Sequence, residues 1–164
     1  MSEPIIRAIK KEDNTHLAKV IRKVLVDLGV PKVGTAYADK ALDCMFETYQ
    51  GDRRVYFVVE ENGTILGGAG IAALENYDGN ICELQKMYFL ETARGRGLGE
   101  LMIRHCLDAA VSFSFESCYL ETMTYMTAAQ NLYNKSGFQY LDGPLGDTGH
   151  FSCPVQMLKK LYIS

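Results

Sequence analysis

The sequence predicts a mixed α/β domain, and three observations carry that prediction. Residues 17–28 repeat apolar side chains at helical spacing. The stretches "RRVYFVVE", "ILGGAGIAAL" and "NICELQKMYFL" follow one another and are rich in β-formers. Gly95, Gly97 and Gly99 then fall at alternate positions between a strand and a helix, with Arg94 and Arg96 interleaved.

Taken in order, residues 5–9 read as a short strand. Leu17, Val20, Ile21, Val24, Leu25 and Leu28 share one helical face, with Asp13 or Asn14 as cap and Gly29 as stop. Ala38, Ala41, Leu42, Met45, Phe46 and Tyr49 predict a second helix over 36–49. The Asn62-Gly63 pair between the next two strands is a hairpin signal. After the third strand and the glycines, Leu101, Met102, Ala109, Ala110 and Phe113 mark a buried helix face. "SCYLET" reads as a strand, residues 126–136 as a helix closed by Gly137, and "FQYLD" and "FSCPVQMLKKL" as two last strands. The order is β-αα-βββ-α-β-α-ββ, in one domain over 1–164.

Bulk composition excludes several classes. The chain has 164 residues, 48% hydrophobic and 23% charged, as in ordinary globular proteins. Its net charge of −3 argues against a polyanion binder, so no nucleic acid is expected as a partner. No apolar run approaches a membrane span, and "MSEPIIRAIKKED" lacks a signal peptide's apolar centre. A cytoplasmic location is the expectation. Five cysteines without a Cys-x-x-Cys pair support neither a metal site nor a disulfide framework.

The glycine stretch has the chemistry of an anion cradle. Amides in the first turn of a helix have no intrahelical acceptor, and the helix dipole adds positive charge there. Glycine lets a bulky oxyanion approach that backbone. A Walker loop would need Gly-Lys-Ser/Thr, which is absent. A dinucleotide fingerprint counted from Gly95 or Gly97 would need glycine where Glu100 and Met102 stand.

"ARGRGLGELM" resembles the acyl-CoA signature of the GNAT superfamily of N-acetyltransferases, Gln/Arg-x-x-Gly-x-Gly/Ala, with Arg94, Gly97 and Gly99 at its fixed positions. "AAQNLYNKSGF" resembles the family's downstream A-x-x-L-Y-x-x-x-G-F, through Ala129, Leu132, Tyr133, Gly137 and Phe138. The resemblance implies a mixed, mostly antiparallel twisted sheet of six to seven strands, flanked by about four helices and splayed between its fourth and fifth strands. It implies acetyl-CoA as acyl donor. Its pantetheine would pair with the backbone of Met87, Tyr88 and Phe89, its pyrophosphate would rest on Arg94, Gly95, Arg96, Gly97, Leu98 and Gly99, and Asn131 would add a cofactor contact. Two positions depart from the pattern: Glu91 stands where a proline is frequent, and Met126 where an asparagine is.

The resemblance also assigns chemistry. An alkyl ammonium must lose a proton before it can attack, and a departing thiolate must gain one. Tyr133 is the expected donor to the thiolate, and Glu83 the expected base, with Glu121, His150 or a water as alternatives. His105 and His16 read as rim and surface residues. Cys118 sits mid-strand with no cationic sequence neighbour to activate it, and Cys153, three residues from His150, falls at a position that strand alternation turns inward, so neither reads as a nucleophile. Tyr37, Tyr49, Tyr77 and Tyr125 are candidates to line the acceptor pocket, which the helices of 17–28 and 36–49 would cover. The implied function is acetyl transfer to a primary amine of a small molecule, an amino acid or a polyamine-like metabolite. A protein N-terminus or lysine, or a non-catalytic acyl-CoA-binding module, are the alternatives. A homodimer is compatible with the family.

Overall fold

The computed structural model of the chain describes residues 3–161. Strand β1 (Ile5–Ala8) leads into α1 (Asn14–Asp27). Leu17, Val20, Ile21, Val24 and Leu25 form its buried stripe. Each side chain of that size contributes about 1.5–3 kcal/mol by leaving water. Asp13 holds the N-cap position without capping the helix by its side chain. Its carboxylate instead accepts the Lys10 backbone N–H at 2.8 Å and the Arg7 guanidinium.

The second expected helix is broken into three pieces. Residues 36–49 hold two 3-10 turns, Ala36–Ala38 and Lys40–Asp43, and one short helix, α2 (Met45–Thr48). Asp39 is extended (φ −66°, ψ 122°) and Cys44 is non-helical (φ −138°), which interrupts the run. Of the predicted face, Leu42, Met45 and Tyr49 are buried, Ala41 and Phe46 are partly buried and Ala38 is exposed. The spacing thus recorded half of the inward-turning side chains, and the backbone buries them without a continuous helix.

The sheet has seven strands in the order β1-β2-β3-β4-β5-β7-β6. Strands β2 (Val55–Glu61), β3 (Thr64–Ala73) and β4 (Ile81–Phe89) continue the antiparallel meander from β1. The Asn62-Gly63 turn has both residues at positive φ (53° and 79°), as a tight hairpin requires. After α3 (Leu98–Ser112), β5 (Ser117–Thr122) returns parallel to β4. Helix α4 (Thr127–Lys135) precedes β6 (Gln139–Tyr140) and β7 (Val155–Lys160). Strand β6 keeps only two of the five residues expected in "FQYLD". One face of the sheet packs Val59, Ile71, Cys82 and Leu120 against Met102, Ile103 and Cys106 of α3. The other packs Tyr56, Val58 and Ala72 against α1 and the 36–49 segment. Among the described residues no helix is long and apolar enough to cross a membrane.

A bulge in β4 opens the sheet. Gly70 pairs with Gln85 and Gly68 with Tyr88, so β4 spends one extra residue there. Lys86 takes φ +49°, costly for a side chain with Cβ. Tyr56 offsets this by donating its hydroxyl to the Lys86 carbonyl at 2.8 Å. Its ring reaches that point because it crosses Gly68 and Gly70: a Cβ on Gly70 would lie 2.6 Å from the ring. Strand β5 pairs with β4 only over Ile81–Glu83. From Leu84 onward the two part, and the β5-facing edge of β4 is left open.

Candidate active site

The gap between β4 and β5 holds a cavity of about 560 Å³. Met87, Tyr88 and Phe89 form one wall, the loop from Arg94 to Glu100 its mouth, and Thr122, Ala129 and Tyr133 the other wall. Val24 of α1 and Leu28, just past its end, also reach it. Gly95 and Gly97 take φ +73° and +75°, and a Cβ on either would meet nothing within 4 Å. Left-handed backbone and open space at the N-terminus of α3 fit a bulky anion. The residues present therefore fit an acyl-CoA: a cradle for pyrophosphate, then an unpaired strand edge for pantetheine.

The other predicted cofactor residues divide by placement. Leu98 and Gly99 line the cavity, and a Cβ on Gly99 would also press on Leu132 of α4 at 2.8 Å. Gly99 thus brings α3 and α4 together as well as facing the cavity. Arg94 lines it, with Nη2 donating to the Phe89 carbonyl at 3.2 Å. The Arg96 side chain is held elsewhere, paired with Glu61 at 2.5 Å. Asn131 is exposed and does not line the cavity, because its position on α4 points away from the face that carries Tyr133.

Tyr133 is 7% exposed, with its ring edge-on to Phe138. It lines the cavity, and its hydroxyl has no hydrogen-bond partner among the described residues. Burial pushes its phenol upward, so the hydroxyl keeps its proton at neutral pH.

A second cavity, of about 310 Å³, lies on the other side of β4. It shares Leu84, Lys86, Tyr88 and Glu121 with the first, so the two meet at the bulge. Glu83 sits in it, 5% exposed. Its Oε1 accepts from Gln85 Nε2 at 2.7 Å, and the Gln85 carbonyl oxygen in turn accepts the Tyr49 hydroxyl. Burial pushes the Glu83 carboxyl up to about 7, with the Gln85 bond working against the rise. A carboxyl there is poised to take a proton at neutral pH.

Glu121 faces the same cavity, which the strand register explains: Glu83 pairs with Tyr119, two residues before Glu121 on the same face. Glu121 accepts the Tyr119 hydroxyl at 2.7 Å and the Thr148 hydroxyl on its other oxygen. His150 joins them, half-buried, and single ligand atoms of Glu83, Glu121 and His150 lie within 4.8 Å of one another. His150 Nε2 is 2.8 Å from Asp39 Oδ2, and Lys86 Nζ is 3.2 Å from the same oxygen. Burial disfavours charge on both partners, but the contact overcomes it: Asp39 titrates below the usual carboxylate range and His150 above the usual imidazole range.

The remaining candidates fall outside this chemistry or at its rim. Tyr49 lines the second cavity and Tyr125 the first; Tyr77 and Tyr37 line neither. Cys118 is a fully buried free thiol, pushed up by its hydrogen bond with the Cys82 thiol and by burial. Cys153 lines the second cavity, where burial lifts its thiol to about 11, far from a ready thiolate. His105 packs on Phe57.

Asp39, Gln85, Lys86 and Thr148 escaped the reading of the sequence. The pair Gln85-Lys86 did carry a signal: two successive polar residues break the alternation of "CELQKMYFL" where the bulge lies. Asp39 and His150 are 111 residues apart, and no local pattern joins them.

With this geometry in view, the comparisons with known proteins agree with it. A sequence model of the Acetyltransferase (GNAT) family matches residues 24–138. The N-acetyltransferase YjgM of Escherichia coli is 40% identical over 159 residues, covering 96% of this chain and 95% of that protein. An acetyltransferase of the GNAT family from Staphylococcus aureus superposes with a TM-score of 0.86 at 17% identity, over 98% of this chain and all of the other. An acetyltransferase of Salmonella typhimurium, solved with its cofactor acetyl-CoA, superposes at 0.77 with 19% identity, over 99% and 96% of the two chains.

Proposed function

The chain belongs to the GNAT family of acetyltransferases, and from that premise we propose that it acetylates the primary amine of a small molecule held in the second cavity. It is an acetyl-CoA-dependent N-acetyltransferase; the acceptor, the roles of single residues and the order of events are the substance of the proposal. The observation that carries it is the meeting of two cavities at the β4 bulge, with buried Glu83 in one and Tyr133 in the other.

Bound acetyl-CoA supplies an acetyl thioester whose thiol is the leaving group. The amides of residues 95–99 hold its pyrophosphate, and the open edge of Met87–Phe89 holds its pantetheine. Glu83 and Glu121 draw an ammonium into the second cavity. Glu83 takes the proton that the nitrogen must lose, and Gln85 and Tyr49 keep its carboxyl in place. Tyr133 holds at its hydroxyl the proton that a departing thiolate needs. His150, tied to Asp39, lines the same cavity. Its raised proton affinity makes it the weaker choice of base at neutral pH.

Thiol release from acetyl-CoA across a panel of amines tests this reading. Small primary amines should accelerate release. If only peptides with free N-termini or lysines do so, the acceptor class is wrong. If acetyl-CoA binds and no amine accelerates release, the assignment of catalytic roles fails with it.

A further inference from the structure

The second cavity has a cationic end. Glu83 pairs with Ala72 across β3, and Val55 pairs with Ile71. Arg54, one residue before Val55, therefore continues the same row on the Tyr56 face, and Arg54, Ala72 and Glu83 all line the cavity. Two inter-strand steps separate the Arg54 and Glu83 backbones, about 10 Å. Ala72 between them is small, so the floor of the row is low. Arg54 spends Nη1 on the Thr48 carbonyl at 3.1 Å. Among the described residues it has no acidic partner, and neither has Lys40, which lines the same cavity. The remaining cations are committed, since Lys86 and His150 both face Asp39. Glu75, the other carboxylate at the rim, lies three residues past Ala72, beyond the end of β3 at Ala73.

An acceptor seated by its ammonium on Glu83 and Glu121 would thus extend over Ala72 toward an unpaired guanidinium. A planar guanidinium matches a carboxylate by two parallel hydrogen bonds. A polyamine would bring a second ammonium to that end and meet like charge. We propose that the acceptor is an amino acid, its carboxylate held by Arg54 with Lys40 beside it, and that Arg54 sets this specificity. The proposal rests on the second cavity being the acceptor site.

Matched pairs test it: glycine with glycinamide, aspartate with its α-amide and with asparagine, glutamate with its α-amide and with glutamine, and putrescine as a dication. Two readouts are taken on the full chain, turnover by thiol release and binding by calorimetry on the CoA-loaded protein. At least one carboxylate member should exceed its amide by about tenfold to a hundredfold in kcat/KM, and putrescine should be poor. Arg54→Gln should erase most of that ratio, mainly through KM, and Arg54→Lys should restore part of it. Acetyl-CoA affinity of the variants checks that they are folded. Turnover with no preference for carboxylates, or a preference untouched by Arg54→Gln, overturns the proposal and leaves the acetyltransferase reading intact. Carboxylate-selective binding without turnover supports Arg54 and instead overturns the catalytic roles. Neither binding nor turnover of any pair overturns both.

Discussion

Glu83 is an acid whose position does two jobs with opposite costs. Burial lifts its carboxyl to about 7. Activity in kcat/KM should therefore rise with pH through about 7, as the base loses its proton, and Glu83→Gln should lower kcat by about a hundredfold or more and flatten that limb. A full limb in the variant would move the base to His150 or a water. The same burial acts on stability. Between the ordinary glutamate range near 4.5 and about 7, the folded chain keeps a proton that the unfolded chain has lost. This contribution is whole below about 4.5 and lost as pH rises through about 7. Glu83→Gln should accordingly gain in Tm over the parent as pH rises through that window, and a gap independent of pH would contradict the burial argument. Tyr133→Phe should lower turnover by about 10²-fold or more and leave acetyl-CoA affinity within about twofold; equal losses in both would make the tyrosine a packing residue. The placement of Glu83 and Tyr133 at the cavities was legible because each stands in a motif or on a marked strand. The companionship of Glu83, Glu121 and His150 was not, since periodicity does not say which face of two different strands turns inward.

At the scale of elements, the glycine loop and the bulged strand are the two parts of the proposed donor side. Gly97 has φ +75° at the N-cap of α3, with open space where its side chain would be. Gly97→Glu should abolish acetyl-CoA binding in calorimetry through both a disfavoured backbone and repulsion of phosphate; unchanged binding would displace the cradle from this loop. The glycine spacing made the loop readable, because a backbone exposed to an anion constrains residue type. The individual side chains around it were less so: Arg96 is drawn to Glu61, 35 residues away, and Asn131 lies outside the cavity. The bulge is a tertiary product of Tyr56 crossing two glycines of β3. Tyr56→Phe removes the bond to the Lys86 carbonyl and should cost about 1 kcal/mol or somewhat more in denaturant unfolding, with a larger fractional loss in turnover than in acetyl-CoA binding. A loss confined to stability would mean that the bulge holds without it.

For the whole molecule, element order pointed to a mixed α/β domain, and the resemblance to the GNAT family supplied the arrangement of the sheet and its split. What order could not convey is how the 36–49 segment and the 141–154 loop meet over the second cavity. The Ser152 amide donates to the Gly34 carbonyl at 3.0 Å, and Asp39 meets His150. These joins are long-range and chemically local at once, so they are invisible until the chain is folded. They also bring Thr148, His150 and Cys153 to the cavity from a loop without regular structure. On the proposed route, donor and acceptor occupy adjoining cavities together and the acetyl group passes straight between them. Initial-rate kinetics with both substrates varied tests it most directly. Double-reciprocal lines should intersect, as a ternary complex demands, and no acetyl label should stay on the protein. Parallel lines, with label retained on a cysteine, would contradict the account.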